Sequence, residues 1–508
     1  IIQVLRTLFL KLRLCSVVFN HKLRKTYTFF YILIFVLYSS ISVSQEDNFD
    51  LDSDDFDLLE DTSFDQLELE LANTDNLALE VSSEISGLEK NEEMENLNSF
   101  DSFSGNIIQK FTYGLQSPSV NFSRNKSALE RIETIFNFNF KGELSPQLNY
   151  KIGGNLLYSW GKWKNNKFQT DENKSTFKIK DFYLDYYPSD LIWLRLGNQI
   201  IARGQLDNLS ITDTINPRDL SVPGQGELSE FRQHVPAILL NFPISDIKIE
   251  LALVGEAGGN LLSEKGDSFD PTIPFVQNLV NTGGNPYTVN YLNPSNELEF
   301  FASINYSFNG GDISLVFSDE NLNQRSLKNI GSSSLSSQLD FGFDRVQMVG
   351  LNGNLARGDF LLKYEAANIT GASFLKINPA DLPGSKKNQN VLGFGFDYSG
   401  VNNLILGYET SLRSILNHTN DLFVSKSSIG HALQARWTGV NDTININANL
   451  NRFEGEKSTI ASLVTSYKPR DGLTLFARYV QYDAFETSDT LYPYKKQDVI
   501  MLSSEYSF

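Results

Sequence analysis

The chain has 508 residues, a formal net charge of −18 and a mean hydropathy of −0.24. Only 41 % of its residues are hydrophobic, which is too few for a bundle of membrane-spanning helices but suits strands whose side chains alternate between apolar and polar. The one cysteine, Cys15, excludes an intrachain disulfide and a cysteine-based metal site. Of the 61 acidic residues, 20 lie within residues 46–101, so the negative charge is concentrated in one segment and gives no reason to expect nucleic-acid binding.

The first 44 residues have the features of a secretory signal peptide. A basic stretch at residues 21–25 precedes the apolar run FFYILIFVLY at residues 29–38, and the small residues Ser42 and Ser44 then precede a cleavage position. The apolar run is shorter than the roughly 20 residues that a transmembrane helix needs. Residues 1–20 precede this pattern, and we interpret them as a mis-assigned start without a structural role.

Residues 45–105 form an acidic, low-complexity segment in which Leu and Phe are scattered among Asp, Glu, Ser and Asn. High charge without a sustained apolar period predicts a disordered periplasmic segment. The alternative is an arm that docks on a basic periplasmic partner or plugs a channel from below. A calcium-binding loop at Asp52, Asp54 and Asp57 is excluded, because Asp57 stands where that loop requires glycine. We expect no metal and no cofactor.

From residue 107 onward, apolar and polar residues alternate with a period of two, which predicts β-strands. The alternation is clearest at residues 444–451, where Ile, Ile, Ala and Leu take turns with four asparagines. Other segments of this kind are residues 131–140, 148–158, 360–365 and 392–398. Alternation alone fits both a soluble β-sandwich and an outer-membrane barrel, since each has one apolar and one polar face.

The lengths of the connections distinguish these two folds. The short turns fall at residues 142–145, 188–190, 243–245, 309–311, 357–359, 400–402, 439–441 and 469–471. The other connections, all but the last of them longer, fall at residues 116–128, 160–173, 200–232, 256–296, 318–343, 367–389, 413–428, 483–496 and 454–457. Short turns on one side and long loops on the other are typical of transmembrane barrels. We therefore predict that residues 106–508 form an all-β, transmembrane antiparallel β-barrel of about 18 strands (16–18), with both ends in the periplasm.

The chain ends on a strand with one apolar face. Ile500, Leu502, Tyr506 and Phe508 share one parity, and the intervening residues are mostly polar. This ending resembles the C-terminal assembly signal of bacterial outer-membrane barrels, in which Tyr506 and Phe508 take the two aromatic positions. The resemblance implies the outer membrane of a Gram-negative-type bacterium, a lipid environment, and recognition of the last strand by the barrel-assembly machinery.

Residues 194–236 carry a second resemblance. Its matching residues are Gly197, Gln199, Gly204, Asp213, the run Asn216-Pro217-Arg218-Asp219, and His234-Val235-Pro236. This stretch is similar to a family of large bacterial outer-membrane proteins of unknown function, the alginate-export-like or porin-like group. The resemblance implies an outer-membrane channel or export barrel. Arg203 stands where the family has a tryptophan, so a role of that ring has no counterpart here.

We predict that charged side chains line the lumen near a constriction. The candidates are Asp181, Asp185, Arg195 and Gln199 on the wall, and Arg203, Asp213, Arg218 and Asp219 on the following loop. A turn centred on Ser189 would pair Tyr183 with Arg195 and place Asp181 and Asp185 diagonally beside the guanidinium. The loop at residues 202–232 contains rigid turn residues, which predicts that it folds into the lumen and meets these wall charges; the alternative is a cap on the outer rim.

Parity places further charged side chains in the lumen: Lys151, Glu365, Glu409, Arg413, Arg436, Arg478 and Glu505. Both signs occur, so strong selection for anions or cations does not follow. The leading hypothesis is a passive channel for small or oligomeric solutes, since about 18 strands enclose a wet lumen. A structural or adhesion barrel that works through its outer loops is the alternative. A hydrolase on the barrel wall is disfavoured, because the histidines are scattered and no G-x-S-x-G motif occurs.

Overall fold

The computed structural model describes residues 102–115, 127–164, 167–170, 174–226, 231–255, 258–264, 267–270, 287–294, 298–332, 337–377, 384–453, 458–486, 489 and 491–508. The expected signal peptide, residues 1–44, and nearly all of the acidic segment lie outside these described residues. The first strand begins at Ser102, four residues before the boundary expected at residue 106.

The described residues contain 22 strands and one short 3-10 helix, Tyr492–Tyr494. The strands are β1 (Ser102–Gly114), β2 (Ala128–Ser145), β3 (Leu148–Lys164), β4 (Lys167–Gln169), β5 (Lys174–Ser189), β6 (Ile192–Gln199), β7 (Val235–Ile244), β8 (Ile247–Val254), β9 (Tyr287–Tyr291), β10 (Glu299–Phe308), β11 (Gly311–Asn321), β12 (Ser326–Ser332), β13 (Ser337–Gly342), β14 (Arg345–Arg357), β15 (Phe360–Phe374), β16 (Ser385–Val401), β17 (Leu404–Ile415), β18 (Ser427–Gly439), β19 (Ile444–Phe453), β20 (Ser458–Arg470), β21 (Leu473–Ala484) and β22 (Val499–Ser507).

Eighteen of these strands form one closed antiparallel barrel, which confirms the predicted fold. Each pairs with its neighbours along the chain, and β4, β9, β12 and β13 stand outside the ring. The last strand, β22, closes the barrel on β1, with Ile107 opposite Tyr506 and Asn106 opposite Ser507. Closure leaves no edge strand, so the backbone N–H and C=O groups of every strand have partners in the sheet. This is necessary in lipid, where no water is available to hydrogen-bond to an unpaired backbone group.

Eight short turns join the barrel strands, and seven of them overlap the predicted residues; the first falls at residues 146–147, just beyond the predicted 142–145, which belong to β2. Their tight geometry needs residues that tolerate a left-handed backbone, and Gly310 (φ 88°) and Asn403 (φ 61°) supply it. Some long connections are shorter than expected, because the strands continue beyond the turn residues: β15 runs to Phe374 and β16 starts at Ser385, inside the loop predicted at residues 367–389.

The outer surface of the barrel is apolar. Side chains such as Phe111, Leu392, Phe394, Leu433 and Leu502 are 45–55 % exposed, 45 % at Phe111 and 55 % at Leu392. An apolar belt of this extent is incompatible with water but suited to the hydrocarbon of a bilayer. The protein is therefore a transmembrane β-barrel surrounded by lipid. In the described part of the chain, no helix is long and apolar enough to cross a membrane.

A three-stranded sheet stands apart from the barrel, in the long connections around β10 and β11. In it β13 pairs antiparallel with β12 and parallel with β9. Leu327, Leu339 and Phe341 form its buried apolar cluster. Asp344 fixes its base, because its carboxylate accepts hydrogen bonds from Lys328 Nζ (2.5 Å) and from Ser373 Oγ (2.6 Å) on β15. The long loops thus carry ordered structure of their own.

Candidate channel constriction

The connection between β6 and β7, residues 200–234, runs through the interior of the barrel. We call it the crossing loop. It starts at the end of β6 and makes hydrogen bonds with inward side chains of β15 and β17, which lie six and eight strands away around the eighteen-stranded ring. A strand eight positions away in a ring of this size is close to the opposite wall. The loop therefore crosses the lumen and does not only border it.

The base of the crossing loop is closed by two polar side chains. Asn216 accepts a hydrogen bond from the backbone N–H of Ile201 (2.8 Å) and donates one to the carbonyl of Gln233 (2.7 Å), joining the two ends of the loop. Asp213 accepts from Arg232 Nε (3.0 Å) and lies 3.3 Å from Arg218. Because Asn216 is buried, these hydrogen bonds take the place of the bonds that its side chain would make to water, and they hold the loop in one conformation.

The tip of the loop, residues 205–212, wraps around the carboxylate of Glu365 on β15. Oε1 accepts from the backbone N–H groups of Gln205 (2.6 Å) and Leu206 (2.8 Å). Oε2 accepts from the N–H groups of Ile211 and Thr212, both at 2.7 Å, and from the Thr212 hydroxyl at 3.0 Å. Glu365 is only 2 % exposed, and burying a carboxyl group without hydrogen-bond partners costs free energy. The surrounding N–H and O–H donors offset this cost.

A second wall carboxylate, Glu409 on β17, binds residues 207–209 in the middle of the tip. It accepts from the backbone N–H groups of Asp207 (2.7 Å), Asn208 (3.0 Å) and Leu209 (3.0 Å). The Asp207 carboxylate in turn pairs with Lys363 Nζ at 2.9 Å. Wall and tip are therefore joined by a network of charge-assisted hydrogen bonds, stronger than neutral ones.

Two glycines on β16 make room for this docking. Gly393 and Gly395 face inward and alternate with the outward Leu392 and Phe394. A Cβ atom at Gly393 would lie 2.5 Å from Leu206 Cδ1, and one at Gly395 would lie 2.9 Å from Leu206 Cδ2. A residue larger than glycine there would displace the Leu206 side chain, and a bulky one would push the tip away from the wall.

A second part of the loop, residues 222–226, docks in another direction, on β20, β21 and β2. The Arg478 guanidinium donates to the carbonyl of Gly226 at 2.5 Å, and the Gln225 amide donates to the Tyr482 hydroxyl at 3.2 Å. Tyr482 also donates to the carbonyl of Pro223, and Arg131 on β2 donates to the Gln225 side chain. The crossing loop is thus fixed at two separate places on the wall.

The wall charges form an ion-pair cluster, but with a different register from the prediction. Asp185 lies opposite Arg195, and Tyr183 lies opposite Gly197. The predicted pair of Tyr183 with Arg195 is wrong by two residues, because the turn falls at residues 190–191 and the strands are irregular beside it. A shift of two residues leaves each side chain on its predicted face.

Arg195 and Asp185 form a bidentate pair, with Nε at 2.7 Å and Nη2 at 3.0 Å from the two carboxylate oxygens. The guanidinium also stacks on the ring of Tyr183 at 4.0 Å. Asp181 is drawn to other partners, Lys151 Nζ at 3.0 Å and His234 Nε2 at 3.3 Å.

The loop candidates do not meet these wall charges. Arg218 pairs with Asp213 of its own loop, and Asp219 accepts from the hydroxyl of Ser221. Arg203 instead reaches Glu250 on β8, at 2.5 Å. On β6, Gln199 is completely buried and donates to the carbonyl of Ala237 at 3.2 Å.

The residues that hold the loop tip were foreseen only as lumen-facing. Parity places Glu365 and Glu409 on the inner face, but it gives no indication that they accept backbone N–H groups of a loop more than 150 positions earlier in the chain. The inward glycines of β16 were the available signal, since a glycine on a strand often marks close approach of another backbone or side chain. In the described part of the chain, no cluster of three or more His, Cys, Asp or Glu could hold a metal ion.

No family model matches the chain, and no curated protein matches its sequence. Among solved structures, it is similar to Acinetobacter baumannii OccAB3, with a TM-score of 0.48 and 10 % identity over 80 % of this chain and 99 % of that one. It is also similar to Pseudomonas aeruginosa OccK9 (OpdG), with a TM-score of 0.49, 12 % identity, and 80 % and 98 % of the two chains covered. For Pseudomonas aeruginosa OccK8 (OprE) the TM-score is 0.48 and the identity 10 %, with the same coverage. At such low identity, these structures give no information on what passes through this chain.

Proposed function

We propose that the protein is an outer-membrane channel through which small or oligomeric solutes pass passively. The observation that carries this proposal is the crossing loop, which runs from β6 across the interior of a closed barrel and is fixed at two places on the far side, on β15–β17 and on β20–β21. Eighteen strands enclose a lumen wide enough for water, so a loop across it sets the size of what can pass. A barrel that served only as a support for its outer loops would not require a loop fixed across its lumen.

The charges along the passage carry both signs, and the proposed constriction residues are those predicted from the sequence. On the wall these are Asp181, Asp185, Arg195 and Gln199; on the loop they are Arg203, Asp213, Arg218 and Asp219. Most of these charges are engaged with an opposite charge, as Arg195 is with Asp185 and Arg203 with Glu250. Paired charges present little net field to a passing ion, which supports a mixed-charge channel without strong ion selection.

The test is the conductance of single channels in a planar bilayer, with and without residues 208–228. These residues include most of both docked parts of the loop, whereas β6 and β7 remain intact. A constriction predicts a clear rise in conductance on their removal. As a matched control, residues 331–336 are removed from the tip of the β12–β13 hairpin, which should leave conductance unchanged. No change in the first variant would refute the constriction, and absence of any conductance in the wild-type protein would refute the channel.

Three further proposals concern the rest of the chain. Tyr506 and Phe508 act as the signal that the barrel-assembly machinery reads, supported by their position on the outward face of the closing strand. The acidic residues 46–101 are a mobile periplasmic segment behind a cleaved signal peptide, supported by their composition. The alginate-export-like relationship remains a hypothesis that rests on residues 194–236.

A further inference from the structure

The inward face of β19 is a row of neutral amides. Ile444, Ile446, Ala448 and Leu450 point outward, whereas Asn445, Asn447, Asn449 and Asn451 point inward. Successive amides lie about 6.8 Å apart along the strand, since each residue adds about 3.4 Å. Asn449 is paired in register with Gln434 on β18 and with Ser462 on β20, so the row of neutral polar side chains extends over three strands. Asn445, at the turn end of the strand, is already bonded to Thr438, and we call the other five residues, Asn447, Asn449, Asn451, Gln434 and Ser462, the amide track.

The crossing loop docks on both sides of this track. On one side Glu409 of β17 holds residues 207–209, and on the other Gly224 lies against Ile460 of β20. The register puts both docking points in one cross-strand row, formed by Glu409, Ala432, Asn451 and Ile460. From Glu409 on β17 to Ile460 on β20 the row spans three strand spacings, or roughly 14 Å. Asn449 and Asn451 lie on β19, between the two docked parts of the loop.

The hydrogen-bonding groups of the track are partly unused. Asn449 donates to Asn447 at 3.3 Å, but Asn449 Oδ1 and Asn451 Oδ1 have no partner among the described residues. Gln434 is 9 % exposed, and its Nε2 likewise has no partner in the described part of the chain. Buried polar groups normally have partners, because leaving them without one costs free energy. These three atoms are closed to solvent in this conformation, but no hydrogen bond among the residues that the structure describes holds them there, so rotation of the amides would turn a donor and two acceptors toward a passing solute.

We propose that the amide track is a binding site for uncharged, hydroxyl-rich solutes such as short oligosaccharides, which slide along it past the crossing loop. This inference rests on the proposed channel function and adds the substrate class. An amide offers both donors and an acceptor, and a sugar hydroxyl also both donates and accepts. An anion would use only the donors and a cation only the acceptors. The nearest cations are committed elsewhere, since Arg436 lies 3.8 Å from Asp207 and Arg478 donates to Gly226.

The test measures how maltotriose, a neutral trisaccharide, reduces the ion current of single channels. We expect saturable block of the wild-type channel. In the double variant Asn449→Leu/Asn451→Leu, the number and branching of the side-chain heavy atoms are kept but the amides are lost, so the apparent affinity should fall about tenfold or more while the conductance in salt stays within about a factor of two. The matched control is Asn445→Leu, because Asn445 lies at the turn end of β19 and is already bonded to Thr438 (2.8 Å).

The outcomes separate this inference from the channel itself. A wild-type protein without conductance refutes the channel, and the inference with it. A conducting wild type without saturable maltotriose block overturns the inference alone, even if the double variant fails to fold. Equal block in the double variant and in the wild type also overturns it. Stronger block by glutarate, a dianion without hydroxyls, would assign the site to anions.

Discussion

Replacing Glu365 by glutamine should release the tip of the crossing loop. Each carboxylate oxygen accepts two backbone N–H groups, at 2.6 and 2.8 Å on Oε1 and at 2.7 Å twice on Oε2. A glutamine amide keeps one oxygen and replaces the other with a donor. Two backbone N–H groups then lose their acceptor and face an NH₂ group.

The size of this effect follows from the bonds that are lost. A hydrogen bond to a charged group contributes about 1.5–3 kcal/mol, so two such bonds contribute roughly 3–6 kcal/mol. At 1.4 kcal/mol for each factor of ten, the docked state of the tip weakens by about two to four orders of magnitude. We expect a channel that fluctuates between the wild-type level and a larger conductance.

The assay is single-channel recording of Glu365→Gln beside wild type. The control is Glu133→Gln on β2, a carboxylate on the inward parity that makes no hydrogen bond to the crossing loop among the described residues. It loses the same charge from the lumen without touching the tip. If both variants keep the wild-type conductance and noise, Glu365 does not hold the loop. If both change alike, the effect is one of lumen charge.

Three other predictions follow from the contacts. Gly395→Val should weaken the docking of the loop tip on the wall by about 1–3 kcal/mol and so raise the single-channel conductance. Gly400→Val, on the outward face of the same strand, should leave the conductance unchanged. Deletion of Phe508 should lower the outer-membrane level while the assembled barrel melts nearly as wild type; an unchanged level would contradict its role as a signal. Burial alone would raise the pKa of Asp344, but hydrogen bonds from Lys328 and Ser373 keep it below its ordinary value. Stability from this group is therefore present above about pH 3.9 and lost as pH falls further, and hydrogen exchange of the β12–β13 hairpin should rise in acid but not in Asp344→Asn.

The barrel could be predicted from the sequence because its determinants are local. Alternation assigns each side chain to lipid or lumen, and turn residues mark where strands reverse. Both signals act over a few residues, so the sequence predicts the closing strand and the number of short turns, with seven of the eight turns at the expected residues. The register of β5 and β6 was missed because it depends on irregularities beside the turn, and pattern reading does not detect them.

Such local signals could not predict the path of the crossing loop. Parity tells which face of the wall a residue is on, but not its position around the ring or its height. The information is nevertheless present in the pairing of strands: Glu365 lies opposite Gly393, and Gly395 lies opposite Glu409. A carboxylate beside an inward glycine offers an acceptor and the space for a backbone to reach it. Two such pairs on three adjacent strands form a surface that fits the N–H groups of a tight loop, and only correct registers bring them together. Prediction of the loop therefore needs the barrel at single-residue precision first, because its docking surface exists only once β15, β16 and β17 are in place.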